Sequence, residues 1–339
     1  MKRKTEKKIK KIVFIISVVV TLVSVIALII VNFFIPVIYL TAYFHLKKDV
    51  NPPERLRIRY IDVGYGDCSL VELPDGKILL IDGGTGTYGN IYKLLDTLNA
   101  SDIDRIDYLV CTSVKSEHCG ALAEILKYKS VGTAYIPYVK NVYITDEYAA
   151  FYNRLLSSGV NVVTAENGKG VISEEYGYFF AFLAPQVAAF PDSEYNQMNS
   201  KPTTANINNA SAVIWLEYAE KGFMFLSDAG AQSQQHIANS LFLENKVVFI
   251  EGQTLRLSPC TVLKASNHCA NGYTQPYLYD LIQPEAAIIS VGKNAQSSPS
   301  NTEIANLQLY VRDKIYRTDV HGTITVTVNS LEYLISKEK

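Results

Sequence analysis

Between Ile12 and Phe44 the chain carries no charged residue. A helix that spans a bilayer needs about 20 apolar residues, and this run exceeds that length. It has no polar face, so a buried helix of a soluble domain fits it poorly. A cleaved leader would have an apolar region of about 7–15 residues and a small-residue cleavage site, and neither is present. The reading is an uncleaved single-pass anchor over residues 12–34. Residues 1–11 hold seven Lys/Arg and one Glu, against Lys47 and Lys48 beyond the run. That asymmetry predicts a cytoplasmic N-terminus and an extracytoplasmic body. Asn51-Pro52-Pro53 reads as a stiff linker within residues 35–55, and the folded body is expected over 56–335.

The 339 residues carry a net charge of −1, so a tail of +6 leaves a body of −7. An acidic body argues against a large nucleic-acid surface. Five cysteines are too few, and odd in number, for a disulfide scaffold. A hydrophobic fraction of 48% excludes a disordered chain.

The body reads as strands joined by turns and helices. Arg57 to Leu73 has strand composition broken at Gly64–Asp67. Pro74-Asp75-Gly76 is a turn, and Lys77 to Ile81 returns as a second strand, which gives an antiparallel hairpin. Helical patterns follow at Asn90–Asn99, Ala121–Tyr128, Glu147–Ser157, Gln232–Ala238, Gln275–Leu281 and Thr302–Leu309. Strands are expected at Asp107–Cys111, Ala134–Pro137, Phe179–Leu183, Ser211–Tyr218, Gly222–Leu226, Val262–Ala265, Ala286–Val291 and Thr323–Val328. Tyr195–Asn209 reads as a long surface loop. Hairpins alternating with β-α steps imply a layered α/β body.

Six ordered segments then carry a family likeness. Ile61–Asp67 (IDVGYGD) is similar to a "DVGQGD" strand and turn, with Tyr65 where Gln is usual. Leu80–Gly84 is similar to "LIDGG", and Leu226–Ala229 to "TGDA". Leu263–Cys269 is similar to "LKVxHHG". Ile288–Asn294 (IISVGKN) and Tyr316–Asp319 followed by Gly322 complete the set. Together they resemble the metallo-β-lactamase fold, and most of all the extracytoplasmic domain of competence-type DNA-uptake proteins (ComEC-like). The resemblance implies an αββα sandwich with a metal site on loops at one edge. In the family, one or two Zn²⁺ or similar ions activate a water for hydrolysis.

The resemblance places the family's H-x-H-x-D-H ligand loop on Ser113-Val114-Lys115-Ser116-Glu117-His118. Two histidines are therefore Ser113 and Lys115, the Asp is Glu117, and His118 remains. The later His-His-Gly is Asn267-His268-Cys269, the last histidine falls on Ser298, and Asp228 is retained. A lysine ammonium repels a dication, and Ser with Lys cannot replace two imidazoles. The expectation is a vestigial site without a resident metal, in a domain that serves as a binding or scaffold module for an unidentified extracytoplasmic partner. Lys115 is expected to stand where a cation sat, paired with Asp228 and Glu117. The alternative is one Zn or Mn ion on Glu117, His118, Asp228 and His268, in a residual hydrolase of phosphodiesters or other esters. A DNA-uptake role would need a multi-span channel.

The likeness brings the loops of Cys119 and Cys269 together. A disulfide, a hybrid thiolate site with His118 and His268, and two buried thiols remain open. Cys68, Cys111 and Cys260 read as core residues. Gly84–Gly89 (GTGTYG) matches G-x-G-x-x-G formally, but its strand closes a hairpin, so a turn and helix entry are preferred to a dinucleotide site. Ser113 with Lys115 lacks a third partner for nucleophilic catalysis. His45, His236 and His321 are isolated. Asp62, Asp67 and Asp82 read as turn residues that bond backbone amides and support the site, without a part in the chemistry.

Overall fold

A computed structural model describes residues 14–26, 55–137, 145–186, 204–293, 295 and 297–339. Residues 14–26 form a helix. Among the described residues no helix is long and apolar enough to cross a membrane. The expected anchor is thus described over only part of its length. The basic tail of residues 1–11, His45 and residues 35–54 of the linker lie outside the described residues.

Pro53–Lys339 form one compact unit. Its first sheet has eight strands in the order β17-β16-β1-β2-β3-β4-β5-β6. These are Tyr333–Lys337, Ile324–Val328, Leu56–Tyr60, Ser69–Glu72, Ile78–Ile81, Arg105–Val110, Ser130–Ile136 and Asn161–Thr164. The second has seven, in the order β15-β14-β13-β10-β9-β8-β7. These are Ile315–Arg317, Ala286–Ile289, Cys260–Lys264, Lys221–Phe225, Val213–Tyr218, Tyr178–Ala184 and Gly170–Ser173. A separate hairpin joins β11 (Val247–Ile250) to β12 (Gln253–Arg256). Each sheet has an antiparallel half and a parallel half.

The sequence explains the sandwich. Strand β1 reads LRIRY, with Leu56, Ile58 and Tyr60 buried in alternation. On its other face Arg57 and Arg59 pair with Glu72 of β2, at 3.4 and 2.8 Å. Strand β8 (YFFAFLA) is buried along its whole length, as a strand covered on both faces must be. Phe180, Phe182, Ile214, Phe223 and Phe225 of the second sheet pack on Ile58, Tyr60, Leu79 and Val110 of the first. Two further cores cover the outer faces. Helices α1 (Tyr88–Asn99), α3 (Leu122–Tyr128) and α4 (Asp146–Ser158) bury Leu94, Leu98, Leu122, Ile125, Phe151 and Leu155 on the first sheet. Helices α6 (Ala231–Leu243), α7 (Pro276–Ile282) and α8 (Asn301–Val311) bury Ile237, Leu241, Leu278, Ile282 and Leu307 on the second. The layers are therefore αββα.

Three sequence expectations change. Strand β3 pairs antiparallel with β2 but parallel with β4, so β3-α1-β4 is a parallel unit. That the strand closes a hairpin is therefore not sufficient ground for setting aside a dinucleotide loop. The better ground is packing: Gly84 bridges to Cys119, and a Cβ on Gly86 would meet the Gly120 carbonyl at 3.0 Å. The loop's inner face is filled by α2 (Ser116–Cys119) and Gly120. Second, the end of the expected 195–209 loop is a helix, α5 (Thr204–Asn209), with Asn208 buried; residues 187–203 lie outside the described residues. Third, Cys119 sits in the core under the first sheet's helices and Cys269 in the core under the second's, and all five cysteines are free, buried thiols. The two loops meet, but their thiols point into opposite outer cores.

One glycine fixes how the first loop approaches the next. Gly66 has φ +132°, and a Cβ there would lie 2.4 Å from the Glu117 carbonyl oxygen. That same carbonyl accepts the Asp67 N–H at 3.0 Å. Gly66→Ala is expected to cost about 3 kcal/mol or more through backbone strain and overpacking. Chemical denaturation reads this directly, and an unchanged midpoint would contradict the close approach.

Candidate functional site

The site gathers where both sheets release their chains. Asp67 lies on the loop after β1, Asp82 follows β3, and Thr112 to His118 follow β4. Ser227 and Asp228 follow β10, Lys264 ends β13, His268 lies in the short 3-10 turn Ser266–Cys269, and Ser290 follows β14. Crevices at the carboxyl ends of strands are the usual place for sites in α/β layers. Left-handed backbone marks three of these exits. Asp82, Ser227 and the run Asn267-His268-Cys269 all have φ between 42° and 60°, a conformation unfavourable for residues with a Cβ. Asn267 N–H bonds the Ser227 carbonyl at 2.7 Å and holds the strained turn.

Charge is concentrated here. Lys115 Nζ lies 2.5 Å from Asp228 Oδ2 and 3.0 Å from Glu117 Oε1. Lys264 Nζ lies 2.5 Å from Asp67 Oδ2, with both side chains 3% exposed. His118 stands between carboxylates: Nδ1 is 2.9 Å from Asp82, and Nε2 is 3.0 Å from Asp228. Thr112 donates its N–H and its hydroxyl to Asp82, at 2.7 and 2.5 Å, and bonds Ser227 at 2.6 Å. His268 donates Nδ1–H to the Ser290 carbonyl at 2.8 Å and packs under the ring of Tyr65, with centroids 4.7 Å apart.

Burial opposes every charge in this cluster, and the partners decide the outcome. For Asp228 the penalty is outweighed by His118 and then Lys115, which hold the carboxyl well below the usual range. For His118 it is outweighed by Asp228 and Asp82, which raise the imidazolium well above 6.5. Lys115 is likewise raised, because Asp228 and Glu117 outweigh its burial. Asp67 is lowered against burial, by Lys264 first, and Glu117 by Lys115. At Asp82 burial prevails and its carboxyl is raised.

The structure brings Lys115, Glu117, His118, Asp228 and His268 together. Ser113 is buried, and its hydroxyl accepts the Lys115 N–H at 3.5 Å, a local contact. Ser298 is half-buried and makes none of the ion pairs among the described residues. Asp67 supports the site as its reading implies, with its carboxylate facing Lys264, His268 and His118, but the sequence gives no sign of Lys264. Asp82 does bond a backbone amide, and it also holds His118. Asp62 is a turn residue, accepting the Gly64 N–H at 3.2 Å. His236 is exposed, and His321 accepts the Arg317 N–H at 3.0 Å.

Two groups of donors could surround a metal ion, Glu117 with His118 and His268, and Asp67 with Asp82 and His118, each within 4.8 Å. In the second group both Asp82 oxygens already accept from Thr112, and Asp67 holds Lys264. In the first group the Nε2 atoms of His118 and His268 are buried, and the Nε2 of His268 has no hydrogen-bond partner; Asp228 lies beside them, paired with Lys115. Their chemistry fits one ion of the zinc or manganese type. The charge standing among them is the Lys115 ammonium.

An αββα sandwich with acidic and imidazole donors on the loops of both sheets defines the metallohydrolase type of architecture. The profile of the Metallo-beta-lactamase superfamily matches residues 61–289, and the chain belongs to that superfamily. It is 26% identical over 280 residues to ComE operon protein 3 of Bacillus subtilis (strain 168), covering 78% of this chain and 32% of that protein. The chain thus spans about a third of that relative's length. Among solved structures, the CmlA beta-hydroxylase E377D mutant matches with a TM-score of 0.50 at 13% identity, over 81% of this chain and 54% of that one. A diphosphatase of the PhnP family matches with a TM-score of 0.41 at 10% identity, over 84% and 100%.

Lys115→Met leaves Asp228 buried without its ammonium. Because the Lys115 side chain is 17% exposed, the loss is expected at the low end for a broken buried pair, about 3 kcal/mol. An unchanged thermal midpoint would refute the pairing.

The pH dependence follows from the same groups. Depressed Asp228 and Asp67 contribute stability above the ordinary carboxylate range, lost on acidification. Raised His118 contributes stability that is complete below 6.5 and lost as pH rises through its folded value. Its neighbours are Asp82, Asp67, Asp228, Lys115, Glu117 and His268. Urea unfolding of chelator-treated protein is expected to show stability falling as pH rises past about 6.5. The fall should flatten in His118→Gln. A metal-held site would show the reverse, because ligands must first lose protons.

Proposed function

We propose that this chain is a membrane-anchored, extracytoplasmic metallo-β-lactamase-like domain that works as a binding or scaffold module, its cation positions taken by its own side chains. The observation that carries this reading is Lys115 Nζ at 2.5 Å from Asp228 and 3.0 Å from Glu117. An ammonium in that position satisfies both carboxylates and repels a dication. Lys264 does the same for Asp67. The uncharged run of residues 12–44 and its basic N-terminal flank support the anchor and its orientation. The body's net charge of −7 favours a protein or small-molecule partner over nucleic acid.

A second reading is favoured by one observation. His268 Nε2 is buried without a hydrogen-bond partner, as a nitrogen awaiting a metal would be. Asp228, Glu117, His118 and His268 would then hold one ion, which supplies a Lewis acid and a bound water of lowered pKa. The chain would be a hydrolase of phosphodiesters or other esters. Asp82 would orient His118, and the Ser290 carbonyl would orient His268.

Metal content separates the two. Purification without chelator, loading with Zn²⁺ and Mn²⁺ and elemental analysis is expected to give substoichiometric metal that washes out. One tightly held ion per chain, lost in Asp228→Ala, would establish the second reading and overturn the first.

A further inference from the structure

The cation position is not dismantled around Lys115. Each part of a single-ion site other than a vacant centre is in place. His268 is fully buried, with Nδ1–H on the Ser290 carbonyl at 2.8 Å, which leaves Nε2 as the ring nitrogen without a hydrogen-bond partner. His118 is fully buried, with Nδ1 held by Asp82 at 2.9 Å. Its Nε2 faces Asp228 Oδ2 at 3.0 Å. Asp228 Oδ2 also holds Lys115 Nζ at 2.5 Å. Glu117 completes a group whose donor atoms, with those of His118 and His268, lie within 4.8 Å of one another. Buried polar atoms are rarely left without a partner. Here His268 Nε2 is left so, beside an Asp228 held by the Lys115 ammonium.

The outer contacts are those a metal ligand needs. A ligating imidazole keeps its orientation when its other nitrogen donates to a carboxylate or a carbonyl, and both histidines have such a partner. Those partners are themselves fixed. Asp82 accepts the N–H and the hydroxyl of Thr112, and the turn that carries His268 is tied to Ser227. Nothing in this framework depends on Lys115. Lys115 enters from the exit of β4 and is partly open to solvent, 17% exposed, as is Glu117 at 15%.

We propose that Lys115 is a tethered cap on an otherwise intact single-ion site, so that removing its charge alone creates tight transition-metal binding by Asp228, Glu117, His118 and His268. The inference rests on the reading of the site as closed by protein cations, and goes beyond it by assigning the closure to one side chain. Lys264, which serves Asp67, stays in place. No covalent step is involved: with the ammonium removed by substitution, one dication with its waters enters and the Nε2 proton of His118 passes to solvent.

The test compares the wild-type chain, Lys115→Gln and Lys115→Arg by isothermal titration with Zn²⁺ and by Co²⁺ absorption spectroscopy. Lys115→Gln is expected to bind one ion per chain, roughly 10²- to 10³-fold more tightly than wild type, which is the effect of removing one positive charge at contact distance. Its thermal midpoint should rise on adding Zn²⁺, while that of Lys115→Arg should not. Lys115→Gln with His268→Ala should lose the gain. A folded Lys115→Gln chain that binds Zn²⁺ no better than wild type overturns the inference and leaves the non-catalytic reading standing. A wild-type chain that already holds one ion tightly overturns the non-catalytic reading itself. Where Lys115→Gln does not fold unaided, refolding from urea with and without Zn²⁺ asks the same question. Recovery only with Zn²⁺ supports the cap, and failure under both conditions rejects it.

Discussion

A carboxylate with no solvent exposure needs a cation beside it, and Asp228 is such a carboxylate. Much of the site's arrangement follows from how this chain meets that need. The ammonium of Lys115 comes from the first sheet, while Asp228 belongs to the second. His118, also from the first sheet, reaches the same carboxylate, and Lys264 of the second sheet reaches Asp67 of the first. Three charged contacts therefore cross between the layers at the edge where both sheets end. The Thr112–Ser227 bond at 2.6 Å and the Ala212 N–H to the Thr112 carbonyl at 2.9 Å cross in the same place. A buried pair is a weak source of net stability compared with an apolar core, but breaking one side of it is costly. Loss of any one cation would leave an opposed charge in a dry setting.

The layers keep their shape without help from this edge. The helices and the inter-sheet aromatics hold the layers independently of the site. The loops need only charge balance and backbone ties. Left-handed residues at Asp82, Ser227 and Asn267–Cys269 persist because the surrounding packing fixes them. They keep His118 and His268 aimed inward whichever cation stands there.

Much of this was legible in the sequence, for physical reasons. Apolar runs bounded by Gly, Pro and Asp located most strands and the β2–β3 hairpin. Short, half-exposed strands were not visible: Asn161–Thr164, Gln253–Arg256 and Tyr333–Lys337 are mixed in composition, and only tertiary pairing makes them strands. The Lys115 pairing could be anticipated because a charged residue stood at a ligand position. Lys264 could not, because a lysine ending a buried strand carries no local sign of its partner, and Asp67 lies almost two hundred residues away in a glycine-rich turn. The fate of Cys119 and Cys269 was also beyond sequence, since neighbouring loops do not fix which way their side chains point.

The account turns on what occupies the space between Asp228, Glu117 and the two imidazoles. Diffraction from wild-type crystals grown with excess Zn²⁺, collected at the zinc absorption edge, tests this most directly. The account predicts Lys115 Nζ in density between Asp228 and Glu117 and no anomalous peak in the site. An anomalous peak bound by Asp228, His118 and His268, with Lys115 turned out to solvent, would contradict it.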